Sequence, residues 1–163
     1  MGIETNILRL SDCDLTPEKI VVKHSGLVKA QRIPDPDGDL IITETGINLP
    51  LDEVPRVYRR HVINPDSVSG LHAHKETKQV IFCAAGSFML HLDDGDKKQD
   101  ILMDVEDIGV KLWPRLWHSM SHFEPHTVIM VHANTYFETL GQADYIRDYN
   151  QFLEYARSFM DDQ

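Results

Sequence analysis

From Arg56 onward the chain is a string of short apolar or alternating runs separated by turn residues, and that rhythm leaves few folds open. Residues 56–63 form one run, ending at Asn64-Pro65-Asp66. Residues 70–74 lead into 79–84, which turn at Ala85-Gly86. Residues 87–92 alternate and close at Asp93-Asp94-Gly95-Asp96, and 99–105 pair back across that hairpin signal. Residues 109–113 stop at Pro114, and 127–134 read as a long apolar strand. Many short strands at this spacing predict an all-β sandwich or barrel. The period changes at the end of the chain. Tyr145, Ile146, Tyr149, Phe152, Leu153, Ala156, Phe159 and Met160 recur at three- and four-residue steps. That spacing predicts an amphipathic helix over about 144–160, with Asp144 as its N-cap, packed outside the strands for stability or assembly.

Upstream the reading is sparser. An irregular N-terminal arm is expected over about 1–25, where Thr16-Pro17-Glu18 could cap a helical turn and 19–23 are a β-branched run. The turn Pro34-Asp35-Pro36-Asp37-Gly38-Asp39 precedes a strand candidate at 40–45. With no repeat or linker, residues 1–163 are expected to form a single domain. A net charge of −10 argues against nucleic acid, since phosphate backbones need a basic face, yet a few arginines in one pocket can still hold a small anion. No apolar run spans a bilayer, and residues 1–9 lack the basic start of a signal peptide. Cys13 and Cys83 have no CxxC spacing. A cytoplasmic protein with no membrane partner is therefore expected.

Four of the nine histidines fall in two tight groups, His72 with His74 and His118 with His122. His72 and His74 are two residues apart, hence on one face of a strand. Gly70-Leu71-His72-Ala73-His74, followed by Gln79 and Gly86, resembles the first cupin signature. Gly109, Pro114 and His118 echo the second, with Leu116 where a Gly would stand. The resemblance implies a jelly-roll β-barrel with a C-terminal amphipathic helix. In a metal cupin two His, a Glu and a later His hold the ion; here Gln79, a neutral and poorer ligand, takes the Glu position. No cofactor is expected, although a three-imidazole metal site at His72, His74 and His118 stays open as an alternative. The histidines otherwise act as acid and base beside a carbonyl, or are buried structural residues.

A larger ordered set resembles one family. Arg56-Val57-Tyr58, Gly70-Leu71-His72-Ala73-His74-Lys75, Gln79-Val80, Gly86-Ser87 and Leu92-Asp93-Asp94-Gly95 come first. Trp117-His118-Ser119-Met120, Tyr136-Phe137 and Ala143-Asp144-Tyr145-Ile146-Arg147-Asp148-Tyr149 follow. Together they look like the TDP-sugar 3,4-ketoisomerases, the WxcM-like cupins. The resemblance implies a homodimeric, metal-independent isomerase that converts a TDP-4-keto-6-deoxyhexose to its 3-keto isomer through an enediol, towards an amino sugar of a surface glycan. It implies catalytic roles for His72, His74 and Tyr58. Arg56, Arg60, Gln79, Lys111, Trp113 and His118 are assigned to substrate binding, His118 in the sugar pocket. Two family arginines are missing: Ser69 precedes the Gly of the first signature, and Asp37 stands in the Asp-x-Arg-Gly-x-Leu element. Each lost charged hydrogen bond would cost a phosphate roughly 1.5–3 kcal/mol unless Arg59, Arg60 or Lys111 replaces it. The rival readings are a metal-dependent cupin enzyme and a sugar-binding module without turnover.

Overall fold

The hairpin signal at Asp93-Asp94-Gly95-Asp96 is a turn between two antiparallel strands, 88–93 and 98–103. In the computed structural model, which describes residues 7–15, 19–137 and 141–159, the strands are β1 (Leu8–Arg9), β2 (Leu27–Lys29), β3 (Gln31–Ile33), β4 (Leu40–Ile42), β5 (Arg56–His61), β6 (Ser69–His74), β7 (Gln79–Ala85), β8 (Phe88–Asp93), β9 (Lys98–Met103), β10 (Ile108–Leu112), β11 (Trp117–Ser121), β12 (Val128–Ala133) and β13 (Tyr145–Ile146). The helix α1 spans Tyr149–Arg157. The strands make a six-stranded sheet, β1-β9-β8-β11-β6-β13, and a five-stranded sheet, β2-β10-β7-β12-β5. β3 and β4 form a separate ribbon.

Alternation along the strands decides what lies between the sheets. Ile81, Cys83, Val110, Leu112, Ile129 and Val131 of the five-stranded sheet meet Phe88, Leu90, Leu92, Ile101 and Met103 of the six-stranded one in a single buried core. The ladders do not join the two sheets edge to edge, so this jelly roll is a sandwich-like barrel left unclosed where β5 of one sheet faces the β6-β13 edge of the other. A second apolar cluster covers the outer face of the five-stranded sheet, where Val80 and Phe82 pack with Val28, Leu49 and Leu51. On the outer face of the other sheet, Ala73 and Ile146 receive Phe152 and Ala156 of α1.

Several local expectations are corrected. The helix begins at 149, and its N-cap is Asp148, whose carboxylate accepts the Gln151 N–H. Asp144 instead sits in a 3-10 turn (Gly141–Asp144), and Tyr145-Ile146 pair with His74 and Ala73. The β-branched run at 19–23 forms no strand, because hairpin side chains take its backbone: Val21 N–H donates to Gln99 Oε1 at 2.9 Å and Lys23 N–H to Asp94 Oδ2 at 2.6 Å. The same turn holds its first two carboxylates, Asp93 and Asp94, buried against the barrel. Asp93 also accepts the Tyr149 hydroxyl at 2.6 Å and so fastens α1 to the barrel. Strand β11, Trp-His-Ser-Met-Ser, has no apolar alternation to announce it. Thr16-Pro17-Glu18 and Met160 lie outside the described residues.

One irregularity positions the chemistry. Between β6 and β11 the register slips, so that His118 faces His72 but Ser119 faces Gly70 and Met120 faces Ser69. Leu71 is the extra residue of this bulge. Gly70 and Leu71 both adopt positive φ, 82° and 56°, which is unusual for a leucine. The slip turns Ser69, paired with the core-packed Met120, toward the interior while leaving His72 and His74 there as well.

Candidate active site

His72, His74 and His118 meet at the opening between the sheets. Ring centroids of His72 lie 4.9 Å from His74 and 4.6 Å from His118. Tyr145 closes the group, 4.9 Å from His72 and 4.7 Å from His74. Each ring is held from behind. His72 Nδ1 is 3.0 Å from Gly70 O, and His74 Nδ1 is 2.6 Å from Asp144 Oδ2. A carbonyl and an ionised carboxylate can only accept, so both Nδ1 atoms carry protons, which in a neutral ring leaves the lone pair on Nε2. His74 Nε2 is buried without a partner.

Asp144 is more deeply engaged than a helix cap would be. Its Oδ2 also accepts the Thr77 hydroxyl at 2.6 Å, and its Oδ1 accepts the backbone N–H groups of Lys75, Glu76 and Thr77 at 3.2, 2.7 and 3.3 Å. Burial works to raise its pKa, but the hydrogen bonds from His74, Thr77 and Glu76 outweigh that and hold the carboxyl well below the usual carboxylate range. His72 is pushed down to about 4, first by burial and then by charge on His74, and is neutral at pH 7. Burial, with His72 and His74 as neighbours, likewise keeps His118 well below the ordinary imidazole value.

Across the opening, β5 presents Arg56, Tyr58 and Arg60 on its inward parity, paired with Ala133, Val131 and Ile129. The Tyr58 hydroxyl accepts a 3.3 Å bond from Gln79 Nε2, which leaves its own proton free for another acceptor. Burial raises the Tyr58 pKa, so the phenol stays protonated. The Arg56 guanidinium lies 5.6 Å from the ring centroids of both Tyr58 and Phe137, and its Nε is buried with no hydrogen-bond partner. Arg147 stacks over Tyr145 at 4.5 Å, and its charge is one of those acting on His72.

Of the residues expected from the sequence, the structure brings His72, His74 and His118 into contact and joins Tyr58 to Gln79 and Arg56, with Arg60 on the same face of β5. Sequence reasoning was wrong about the position of Lys111 and Trp113. Val110 and Leu112 face the core, so Lys111 points to the opposite face, and Trp113 packs with the outer cluster around Val80 and Phe82. There the Lys111 ammonium lies 5.3 Å from the Trp113 ring centroid. Lys111 therefore does not replace a lost arginine in the cleft. Ser69 is buried with its hydroxyl unpartnered, whereas Asp37 sits in an exposed turn, its N–H bonded to Asp35 Oδ1. Asp144, Tyr145 and Arg147 were missed as site residues. They read as the start of a helix, and only the buried carboxylate behind an imidazole reveals their place.

As to metal, one ligand atom from each of the three histidines lies within 4.8 Å of the others. The set could hold a zinc-like ion on three imidazoles. Among the described residues it has no anionic oxygen facing the cluster, because Gln79 is neutral and its amide is turned to Tyr58, and Asp144 lies behind His74. A site for iron or manganese of the His-and-Glu kind does not fit.

Residues 23–157 match the profile of the family described as FdtA: WxcM-like, C-terminal. The chain belongs to this family. A relative from Aneurinibacillus thermoaerophilus, TDP-4-oxo-6-deoxy-alpha-D-glucose-3,4-oxoisomerase, is 35% identical over 129 residues, covering 79% of this chain and 90% of the relative. Among solved structures, the QdtA 3,4-ketoisomerase from Thermoanaerobacterium thermosaccharolyticum, as a double mutant in complex with TDP, superposes with a TM-score of 0.79 at 30% identity, covering 84% of this chain and 96% of that one. The WlaRB TDP-quinovose 3,4-ketoisomerase from Campylobacter jejuni gives 0.75 at 31% identity, covering 82% and 99%. The WxcM-like fold is thus shared over nearly the whole described chain, and no helix of it is long and apolar enough to cross a membrane.

Proposed function

We propose that this WxcM-like chain is a nucleotide-sugar 3,4-ketoisomerase, an isomerase that interconverts a TDP-4-keto-6-deoxyhexose and its 3-keto isomer. It would act in the cytoplasm as a homodimer, without metal, in the making of a deoxyamino sugar for a surface glycan. The observation that carries the reading is the pair of neighbouring imidazoles, His72 and His74, each with Nδ1 tied to an acceptor behind the ring, so that Nε2 is the atom left to exchange a proton. The relatives named above, which include a ketoisomerase bound to TDP, support the substrate class.

The reaction moves two protons and relocates a carbonyl. A base takes the C3 proton while the C4 carbonyl oxygen gains one, giving the enediol; a proton then returns at C4 as the C3 hydroxyl gives up its own, leaving the ketone at C3 and a hydroxyl at C4. His74 suits the carrier role, since its free Nε2 can accept a proton and the carboxylate behind it balances the imidazolium that forms. His72, held neutral, serves as a hydrogen-bond partner and way station rather than a proton store. Tyr58, its oxygen already bonded by Gln79, has its proton available for the developing oxyanion. Arg56, with its unpartnered Nε, and Arg60 supply cations toward the diphosphate or sugar hydroxyls. His118 lines the sugar pocket.

The test is incubation with TDP-4-keto-6-deoxyglucose in deuterium oxide, followed by NMR of the sugar. Deuterium at C3 or C4, with a 3-keto product, is expected, falling by about 10²-fold or more in His74→Asn. A folded protein that neither exchanges nor binds TDP overturns the reading. Ser69, in place of a family arginine, favours one second reading, a sugar-binding module; TDP binding without any exchange would establish it.

A further inference from the structure

The chemistry assigned above needs His74 in one tautomer, and nothing on its own strand fixes it. The group that does so comes from 70 residues further along the chain. Asp144 is 4% exposed and ends the 3-10 turn just before β13. β13 pairs antiparallel with the end of β6, Tyr145 opposite His74, which brings the carboxylate behind the ring rather than beside it. The carboxylate itself cannot rotate freely. Oδ1 is bonded by the three successive N–H groups of Lys75, Glu76 and Thr77, while Oδ2 faces the Thr77 hydroxyl and His74 Nδ1. The Thr77 hydroxyl is in turn 2.9 Å from that of Thr135, which can donate to it because the Thr77 proton is committed to Asp144. The main chain closes the same junction, with Lys75 N–H bonded to Asp144 O at 2.9 Å.

We infer that Asp144 is a positioning residue for the isomerase, holding the proton on His74 Nδ1 so that Nε2 remains the proton acceptor. The C-terminal segment is then part of the active site and not only a brace on the barrel. This inference rests on the ketoisomerase reading for its kinetic consequence, but its structural content does not. A purely anchoring Asp144 would need only the amide bonds on Oδ1, and those survive replacement by asparagine. The bond to His74 does not survive it. An asparagine with its carbonyl oxygen toward the three N–H groups directs its NH₂ at Nδ1, which must then accept, so the proton moves to Nε2 and the base is lost.

The experiment compares wild type with Asp144→Asn in two measurements. The first is ¹⁵N NMR of the histidine side chains, with His74 identified by its loss in His74→Asn. Wild type is expected to show Nδ1 protonated and Nε2 bare, and Asp144→Asn the reverse. The second is kinetics on TDP-4-keto-6-deoxyglucose, where kcat is expected to fall by roughly 10²–10⁴-fold, as for loss of the correct tautomer in an Asp-backed imidazole. KM is expected to stay within about threefold, because Asp144 does not face the substrate. A wild-type His74 protonated on Nε2 overturns the inference whatever the variant does, including a variant that does not fold. A folded Asp144→Asn with the tautomer reversed but kcat unchanged overturns it too. If wild type shows no isomerisation while His74 has the expected tautomer, the proposed reaction fails and the positioning role stands.

Discussion

Replacing Gly70 by alanine tests whether the bulge in β6 is the rigid device that aims the histidines. Gly70 has φ of +82°, and a Cβ built there lies 2.9 Å from His118 O and 3.1 Å from Ser119 Cα. Both neighbours are backbone in the adjoining strand, so neither can swing aside. The left-handed conformation alone costs an alanine about 1–2 kcal/mol, and forcing a methyl against fixed backbone adds about 1–3 kcal/mol. Gly70→Ala should therefore lose about 2–5 kcal/mol. Gly46→Ala is the control: its φ is +75°, but nothing lies within 4 Å of its Cβ, so it incurs only the conformational cost. Urea unfolding at one protein concentration gives both values, provided the m-value is unchanged. For a chain of 163 residues, each kcal/mol moves Tm by roughly 2–4 °C. Activity should fall in Gly70→Ala alone, since Gly70 O holds His72 Nδ1 at 3.0 Å. Equal losses in the two variants, or full activity in Gly70→Ala, would refute the reasoning.

Two further expectations follow from burial. The folded-state pKa of His72 is about 4, below its ordinary 6.5, so the unfolded chain binds the extra proton first. Its contribution to stability is complete above about pH 6.5 and is lost as pH falls toward 4; His72→Asn should flatten that loss, and an unchanged slope in a pH series of denaturation curves would count against it. Phe152 is fully buried against Trp117 and Tyr149, with ring centroids 5.6 and 6.0 Å away. Phe152→Ala should cost about 3–5 kcal/mol and loosen the docking of α1, read by calorimetry; a shift of less than about 2 °C would show that the helix contributes little.

The parts of this fold that were legible in the sequence are those where one face is buried and the period is clean. The hairpin around 93–96 and the apolar strands β7 and β12 announce themselves, because alternation and turn residues agree. β11 did not, since its inward residues are a histidine and a methionine and its outward ones are a tryptophan and two serines, so no apolar face alternates with a polar one. The histidine pair was visible because two-residue spacing maps directly onto one face of a strand. Strand parity put Arg56, Tyr58 and Arg60 on one face of β5, as the register has them, yet no parity was applied to Lys111, whose neighbours Val110 and Leu112 already occupied the inner face. Asp144 was misread for a physical reason. An aspartate ahead of apolar residues at helical spacing is the ordinary signature of a cap, and the true cap, Asp148, is another aspartate four residues on. Only the pairing of Tyr145 with His74, a contact across 71 positions of chain, separates the two.

The neutrality of Gln79 reaches beyond ligand strength. Its amide nitrogen is a donor, and it spends that donor on the Tyr58 oxygen. A carboxylate in the same place could only accept; it would turn the phenol proton toward itself and set a negative charge facing whatever enters the opening. With glutamine there and the carboxylate behind His74, the described groups around the histidines and Tyr58 are imidazole, phenol, amide and guanidinium. One oxygen exchanged for one nitrogen at residue 79 thus keeps a negative charge away from the phenol and leaves its proton uncommitted.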